Sequence, residues 1–253
     1  MHIDYLKYDS DLDKILKNRD IKFLCNLANC GDSKYIPKFY GWCFYENKLK
    51  AVMEDSTYYP IKDFFEPNIR NNYKLNLKQK IKILLESAKG LAFLHKHGII
   101  HSQFKSANIS LDKKLVEPND LEFNVILTDF ELFRGDQSGN CQVSGKWKYH
   151  APEQFSEKIF TNKSDIFQFG MFIFELFSER VAYTDKFTKN LNDGTLHKKT
   201  VEIGLRPDSK VECGNDCPPE IMELYKICWE LDKEKRLNTK QLVDFLTEYY
   251  KKL

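Results

Sequence analysis

The sequence predicts an α+β fold in two parts: a small antiparallel sheet with one helix, followed by a larger, mainly helical part. Two observations lead to this class. Runs of aromatic and β-branched residues, typical of strands, occupy 39–53 and stop there. Beyond that point, most apolar residues recur at the spacing of an amphipathic helix. We therefore place the boundary near residue 55 and expect units 1–55 and 56–253.

The first unit contains two predicted strands joined by a short turn and preceded by a helix. Residues 39–46 and 48–53 are separated by Asn47 and favour a β-hairpin. Residues 11–29 carry leucine and isoleucine at roughly helical spacing. After the hairpin, we expect Pro60 and neighbouring polar residues to interrupt regular structure.

The second unit has one long amphipathic helix, two short strands and three further helices. The long helix is predicted over 77–97, and Gly98 is placed to cap its C-terminus. A polar, glycine-containing stretch at 131–148 predicts a loop. The other predicted elements are strands at 108–112 and 123–129 and helices at 164–179, 218–231 and 239–251.

Composition gives no reason to expect nucleic acid or a membrane as a partner. The 253 residues include 39 Lys plus Arg and 37 Asp plus Glu, so the net charge is only +2. The sequence has neither an apolar run long enough to span a bilayer nor an N-terminal signal pattern. We expect a cytoplasmic protein whose seven scattered cysteines are reduced thiols without a zinc site.

Residues 97–112, HGIIHSQFKSANISLD, carry the most informative pattern in the chain. The stretch resembles the catalytic loop of protein kinases, and His101, Lys105 and Asn108 stand at matching positions. The family's arginine and aspartate are replaced by Ser102 and Gln103.

The replacement at Gln103 decides our functional prediction. In kinases the corresponding carboxylate accepts or orients the proton of the substrate hydroxyl. A glutamine amide is neutral and cannot act as a base near neutral pH. General-base assistance is worth about 10²–10⁴ in rate, so the resemblance implies a loop without a functional catalytic residue.

Four later motifs extend the resemblance to nearly the whole chain. TDFE at 128–131 matches the metal-binding D-F-G, with Asp129 as the aspartate and Glu131 in place of the glycine. The Ala-Pro-Glu motif at 151–153, the KSDIFQFG stretch and residues 217–237 match successive motifs of the kinase C-terminal lobe. The resemblance implies a bilobal protein-kinase-like fold. It also implies structural roles for Asp165 and for an ion pair between Glu153 and Arg236.

The N-terminal end departs most from the family pattern, because no G-x-G-x-x-G precedes residue 53. If residues 3–8 are the third strand of the family, the resemblance makes Lys7 the nucleotide-binding lysine. Met53 is then the gatekeeper at the end of the fifth strand, and residues 54–55 are the hinge. We therefore expect a truncated N-terminal lobe that begins after the glycine-rich loop.

His101, Asn108 and Lys105 also have an interpretation in which they bind no ligand. His101 and Asn108 brace the catalytic loop in kinases, and Lys105 either contacts phosphate or braces the same loop. Asn108 and Asp129 are the candidate ligands for Mg²⁺, and Lys7, Met53 and Asp129 are the candidate nucleotide contacts. We expect no required cofactor, with ATP and Mg²⁺ as candidate ligands.

Several details resemble the mixed lineage kinase domain-like pseudokinases of necroptosis, and in particular their truncated poxviral homologues. These details are the degraded catalytic loop, Glu131, GNDCPPE at 214–220 and KSDIFQFG. The resemblance implies an inactive pseudokinase in the host cytosol that binds, as a decoy, a kinase of the receptor-interacting type and blocks necroptosis. Two alternatives remain: a weak or unusual ATP-binding protein kinase, and a noncatalytic switch in which ATP changes partner affinity.

Overall fold

The structure is a computed structural model, and it describes most of the chain. The described residues are 3–5, 26–45, 48–55, 57–70, 73–115, 120–129, 149–157, 159–184, 195, 198–200, 204–206 and 216–253. The predicted loop at 131–148, together with Glu131, lies outside them.

The predicted hairpin is confirmed and belongs to a three-stranded antiparallel sheet. Its strands are β1 (Ile3–Tyr5), β2 (Phe39–Tyr45) and β3 (Lys48–Met53), arranged in the order β1-β3-β2. Ile3 pairs with Val52. The pairing of β2 with β3 shifts register between Phe39 and Gly41 and is regular from there to Tyr45.

The predicted helix over 11–29 is described only at its end, where residues 26–29 are helical. Leu27 and Ile36 are buried in the same core as the helices of the second unit. The Leu127 N–H donates to the Tyr35 carbonyl at 2.7 Å, so the segment after this helix is tied to the second unit.

A second small sheet lies within the second unit. It contains β4 (Tyr59–Pro60), β5 (Ile109–Leu111) and β6 (Val125–Leu127), all antiparallel and in that order. Our expectation that Pro60 interrupts regular structure was wrong, because β4 is an edge strand, where the missing N–H of proline is tolerated.

The long helix is confirmed as α2 (Leu77–Lys96), which follows the short α1 (Pro67–Arg70). Asn76 begins it through a capping box: its side chain accepts from the Gln79 N–H at 2.9 Å, and the Gln79 side chain accepts from the Asn76 N–H at 3.1 Å. At the other end, Gly98 has φ +70°, as a C-terminal capping glycine requires.

The core of the second unit is built around one central helix. After α3 (Pro152–Ser156) comes α4 (Asn162–Ser178), in which every residue from Ser164 onward is buried. A helix that is buried on every side lies in the middle of a domain. The last two helices are α5 (Pro219–Cys228), which packs on α4, and α6 (Thr239–Lys251), which packs on α2.

Element bounds differ from the predictions where caps and turns intervene. Helix α4 begins two residues before its predicted start because Thr161 and Ser164 form a capping box. It ends at Ser178, and the capping residue Glu179 has a left-handed backbone with φ 51°. Strand β5 begins one residue late because Asn108 completes the 3₁₀ turn Ser106–Asn108. The predicted α+β class is confirmed, whereas the division at residue 55 stays a prediction.

In the part of the chain that the structure describes, no helix is both long and apolar enough to cross a membrane.

Candidate functional site

Side chains of helix α4 hydrogen-bond to the backbone of the loop that resembles a kinase catalytic loop. Asp165 is fully buried and accepts three hydrogen bonds, each of 2.8 Å. Two come from the backbone N–H groups of His101 and Ser102, and the third joins His95 Nε2. Ser102 has φ 66°, a strained conformation for a residue with a side chain, and the hydrogen bond to its N–H helps to hold it.

Two further side chains of α4 also hydrogen-bond to the backbone of the loop. Gln168 accepts from the Phe104 N–H at 2.8 Å and donates to the Ser102 carbonyl at 2.9 Å. Glu175 accepts from the Ser106 N–H at 3.1 Å. Together with Asp165, they bond the backbone of four residues of the loop, so its path is fixed independently of its catalytic chemistry.

Sequence reasoning missed Gln168 and Glu175. The signal was present, because these residues and Asp165 stand at i, i+3 and i+10 in an otherwise apolar helix, a spacing that puts them on one face. Glu175 also accepts from the Ala182 N–H at 2.9 Å and from the Tyr149 hydroxyl. Burial raises the pKa of Tyr149 well above its usual value, so the hydroxyl keeps its proton and donates it.

Gln103 stands where a kinase has its catalytic carboxylate, and its side chain is half-buried. Lys105 Nζ donates to Gln103 Oε1 at 3.0 Å. The Gln103 carbonyl accepts from Asn108 Nδ2 at 3.0 Å. The structure thus brings these three predicted residues together, with an amide at the position of the proton acceptor.

His101 is a residue of this loop and is fully buried, and its ring makes an edge contact with the Phe104 ring at 5.3 Å between centroids. Its Nδ1 lies 3.4 Å from the Gln103 backbone N–H. Burial lowers the pKa of His101 to about 4, so the ring is neutral at physiological pH. A neutral, buried ring of this kind supports the loop.

Asn108 and Asp129 are the two candidate metal ligands, and a backbone hydrogen bond joins the segments that carry them. The Asn108 carbonyl accepts from the Thr128 N–H at 3.0 Å, which places the following Asp129 near the loop. Asp129 is exposed, with φ 51°. The Asn108 amide nitrogen is bonded to Gln103, which turns its oxygen away from that carbonyl. An amide oxygen and a carboxylate fit the oxygen ligands that Mg²⁺ prefers.

The other predicted nucleotide contacts are only partly described. Met53 ends strand β3 and is buried at 7% exposure, and the predicted hinge residues Glu54 and Asp55 follow it. Lys7 lies outside the described residues. The structure therefore places Met53 at the predicted end of a strand, whereas the nucleotide contact of Lys7 stays a prediction.

Glu153 and Arg236, which the sequence analysis paired, form a buried ion pair. Arg236 Nη1 and Nη2 donate to the two carboxylate oxygens at 2.6 and 2.9 Å. Both side chains are almost inaccessible to solvent. Arg236 also donates to the backbone carbonyls of Glu230, Lys163 and Leu231. The pair therefore ties α3 to the start of α4 and to the segment that follows α5.

Among the described cysteines, Cys30, Cys217 and Cys228 are buried free thiols. Burial raises the pKa of Cys30 to about 11, which keeps this thiol protonated and unreactive. Within the residues that the structure describes, no group of three His, Cys, Asp or Glu side chains could hold a metal ion.

Comparisons with known proteins assign most of the chain to one protein family. The family model for protein tyrosine and serine/threonine kinases matches residues 9–246. The chain is 29% identical over 264 residues to a protein kinase and PP2C-like domain-containing protein of Arabidopsis thaliana, covering 94% of this chain and 38% of that relative. It is 27% identical over 219 residues to a putative mitogen-activated protein kinase kinase kinase 7-like protein of Drosophila melanogaster, covering 81% and 53%. The chain thus spans about half or less of these relatives.

Proposed function

The chain belongs to the family of protein tyrosine and serine/threonine kinases, and we propose that within this family it is a pseudokinase that acts by binding other proteins. The observation that carries the proposal is Gln103. The surrounding loop is braced by Asp165, Gln168 and Glu175, and the family's proton acceptor is among the residues that differ.

The contacts of Gln103 support this reading beyond the residue type. Its side-chain oxygen is hydrogen-bonded to Lys105, so the amide oxygen is engaged with a neighbouring cation. Even a free amide oxygen binds a proton far too weakly to serve as a base at neutral pH. A substrate hydroxyl at this position would therefore lose the general-base assistance worth about 10²–10⁴ in rate.

The alternative is an ATP-binding protein kinase with weak or unusual activity. Two observations favour it: the oxygen donors of Asn108 and Asp129 suit Mg²⁺, and several relatives are named serine/threonine kinases. When bound, Mg²⁺-ATP would supply the phosphoryl group, while Asn108 and Asp129 would hold the metal. A Gln103→Asp variant separates the two proposals. Phosphoryl transfer that appears only in this variant would show that the rest of the site is competent and that Gln103 abolishes activity, whereas transfer by the wild type itself would favour the alternative.

As its partner, we propose another protein kinase of the receptor-interacting type, captured as a decoy so that necroptosis is blocked. This part of the proposal rests on the resemblance of the degraded loop and KSDIFQFG to mixed lineage kinase domain-like pseudokinases. The proposal also places the chain in the cytoplasm, in the host cytosol if the source is viral, with no required cofactor. Neither nucleic acid nor a membrane is a proposed partner.

The experiment is a calorimetric titration of the chain into the purified kinase domain of a receptor-interacting kinase, with and without Mg²⁺-ATP. The proposal predicts saturable binding whose dissociation constant is the same in both titrations. An Asp129→Ala variant is the matched control and should bind equally well. No binding in either titration would reject the decoy role. Binding only with Mg²⁺-ATP, lost in Asp129→Ala, would instead support the nucleotide-controlled switch.

A further inference from the structure

Arg206 ends a short segment whose described residues are 198–200 and 204–206, and we call these residues the strap. The Arg206 guanidinium joins the two parts of the strap. Its Nη1 donates to the Thr200 carbonyl at 3.4 Å and to the Leu205 carbonyl at 2.9 Å. The same side chain therefore holds both ends of the strap.

The guanidinium also joins the strap to the end of helix α5. Arg206 Nε and Nη2 both donate to the Trp229 carbonyl, at 3.3 and 2.7 Å. Trp229 is the residue that caps the C-terminus of α5. Carbonyls at a helix C-terminus lack partners within the helix and form the negative end of its dipole, so a forked cation suits this position.

A second arginine binds the chain just after the same helix, but with a different set of partners. The Cζ atoms of Arg206 and Arg236 lie 5.1 and 5.0 Å from the centroid of the Phe167 ring of α4. Arg236 is paired with the carboxylate of Glu153. Among the residues that the structure describes, no carboxylate is hydrogen-bonded to Arg206, whose acceptors are all backbone carbonyls.

This difference makes the contact of Arg206 the weaker of the two. Burial lowers the pKa of Arg206, and the nearby charge of Arg236 acts in the same direction. Arginine nevertheless keeps its proton in proteins, so the strap contains a partly buried cation. Removing a cation from water is unfavourable, and neutral carbonyls with an aromatic ring offset that desolvation less completely than a carboxylate does. The Arg206 contact is therefore easier to break than the Arg236 contact.

We propose that the strap is a releasable cover over the C-terminal end of α5, with Arg206 as its latch, and that it opens while α4 and α5 stay folded. Of its other contacts, Leu205 is only half-buried against the core, and its carbonyl accepts from the Tyr183 hydroxyl at 3.4 Å, a long hydrogen bond. Opening gives solvent access to the buried ring of Trp229. This inference is independent of the proposed pseudokinase function.

Native-state hydrogen exchange at low urea concentrations tests the proposal on the wild type. The reporter is the Leu205 N–H, which donates to the Lys199 carbonyl at 3.1 Å and so joins the two parts that Arg206 holds. The fully buried Phe172 in α4 reports global unfolding. We expect Leu205 to exchange faster than Phe172, at a rate that hardly changes with urea, because a local opening exposes little surface. Equal rates with the same dependence on urea would overturn the proposal.

Three variants test the latch itself. Arg206→Met should accelerate exchange at Leu205 by roughly tenfold or more and leave Phe172 unchanged. Arg206→Lys should behave like Arg206→Met, because a single ammonium group lacks the fork that spans the Thr200 and Trp229 carbonyls. The matched control is Lys226→Met, which removes an exposed cation of α5 and should alter neither amide.

Three results with these variants contradict the proposal. Unaltered exchange at Leu205 in Arg206→Met would show that Arg206 is not the latch. Equal acceleration at Phe172 would show that Arg206 supports the whole domain and that the strap does not open by itself. Wild-type protection in Arg206→Lys would show that charge alone, without the forked contact, holds the strap.

Discussion

At position 103 the chemistry of the loop changes while its backbone path is retained. Asp165, Gln168 and Glu175 make the hydrogen bonds that hold the loop backbone, whereas Gln103 Oε1 accepts from the Lys105 side chain. A carboxylate can therefore be exchanged for an amide there without disturbing the framework. The same separation explains why the loop still resembles a kinase after its proton acceptor is gone.

The buried pair between Glu153 and Arg236 gives a sharp test of stability. Glu153→Gln leaves the buried guanidinium without its counter-charge, so we expect the free energy of unfolding to fall by about 3 kcal/mol or more. The matched control is Glu157→Gln, which breaks an ion pair with Lys233 that is largely exposed to solvent. It should cost less than about 1 kcal/mol. Urea unfolding measures both, and equal losses would contradict the structural role of Glu153.

The buried His101 predicts a specific dependence on pH. Its pKa is about 4 in the folded protein, below its ordinary value of 6.5, so the unfolded chain binds the proton more readily. Stability from this group is fully present above pH 6.5 and is lost as pH falls toward 4. Between pH 7 and pH 5, the wild type should lose up to about 2 kcal/mol more than His101→Phe in urea unfolding. Parallel pH profiles would show that His101 is not buried in a neutral form.

Helix α4 is the element that organises the site, and its polar face can be tested by hydrogen exchange. Gln168→Leu removes the acceptor for the Phe104 N–H and the donor to the Ser102 carbonyl. We expect exchange of the loop amides at 102–106 to become faster by roughly tenfold. Gln241→Leu, which alters only the exposed capping box of α6, should leave these amides unchanged. Unaltered exchange in Gln168→Leu would mean that α4 does not hold the loop.

The packing of α4 on α5 depends on one glycine. A Cβ atom on Gly170 would lie 3.0 Å from Cys228 Cβ and 3.1 Å from the Tyr225 carbonyl oxygen, so the helices would have to separate. Gly170→Ala should lower the free energy of unfolding by about 1–3 kcal/mol.

Gly90 in α2 is the matched control for that substitution. The three atoms nearest to a Cβ atom there would all be side-chain atoms, the closest being Leu127 Cδ1 at 2.9 Å and Cγ at 3.2 Å, and none of the three is a backbone atom of a neighbouring element. Alanine also gains about 1 kcal/mol in intrinsic helix propensity at either position. Gly90→Ala should therefore destabilise less than Gly170→Ala in thermal unfolding, and the reverse order would contradict the close packing of α4 and α5.

At the scale of the whole molecule, the sequence predicted what depends on local periodicity. Helix α2 was identified because its apolar residues repeat at helical spacing and Gly98 ends it, and the β2–β3 hairpin because two strand-forming runs flank Asn47. The two-residue strand β4 was missed because it is too short for a periodic signal and contains Pro60. The bracing by Gln168 and Glu175 was missed because their partners are loop amides more than sixty residues away along the chain.

The site shows the same division between motif and geometry. Ordered motifs identified Asp165, Glu153, Arg236 and Asn108 as positions of interest, but only the structure gives their hydrogen bonds. Lys7 stays a prediction, because it lies outside the described residues. The match to the kinase family over residues 9–246 explains why motifs alone were sufficient to identify the fold.

The most direct test of the central claim is a phosphoryl-transfer assay with the purified chain, radiolabelled ATP, Mg²⁺ and generic protein substrates. Asp129→Ala, which removes the exposed candidate metal ligand, is the control for contaminating kinases. Our account predicts that the wild type transfers no more phosphate, to itself or to a substrate, than this control does. Transfer by the wild type that Asp129→Ala abolishes would contradict the account and would establish the chain as an active kinase despite Gln103.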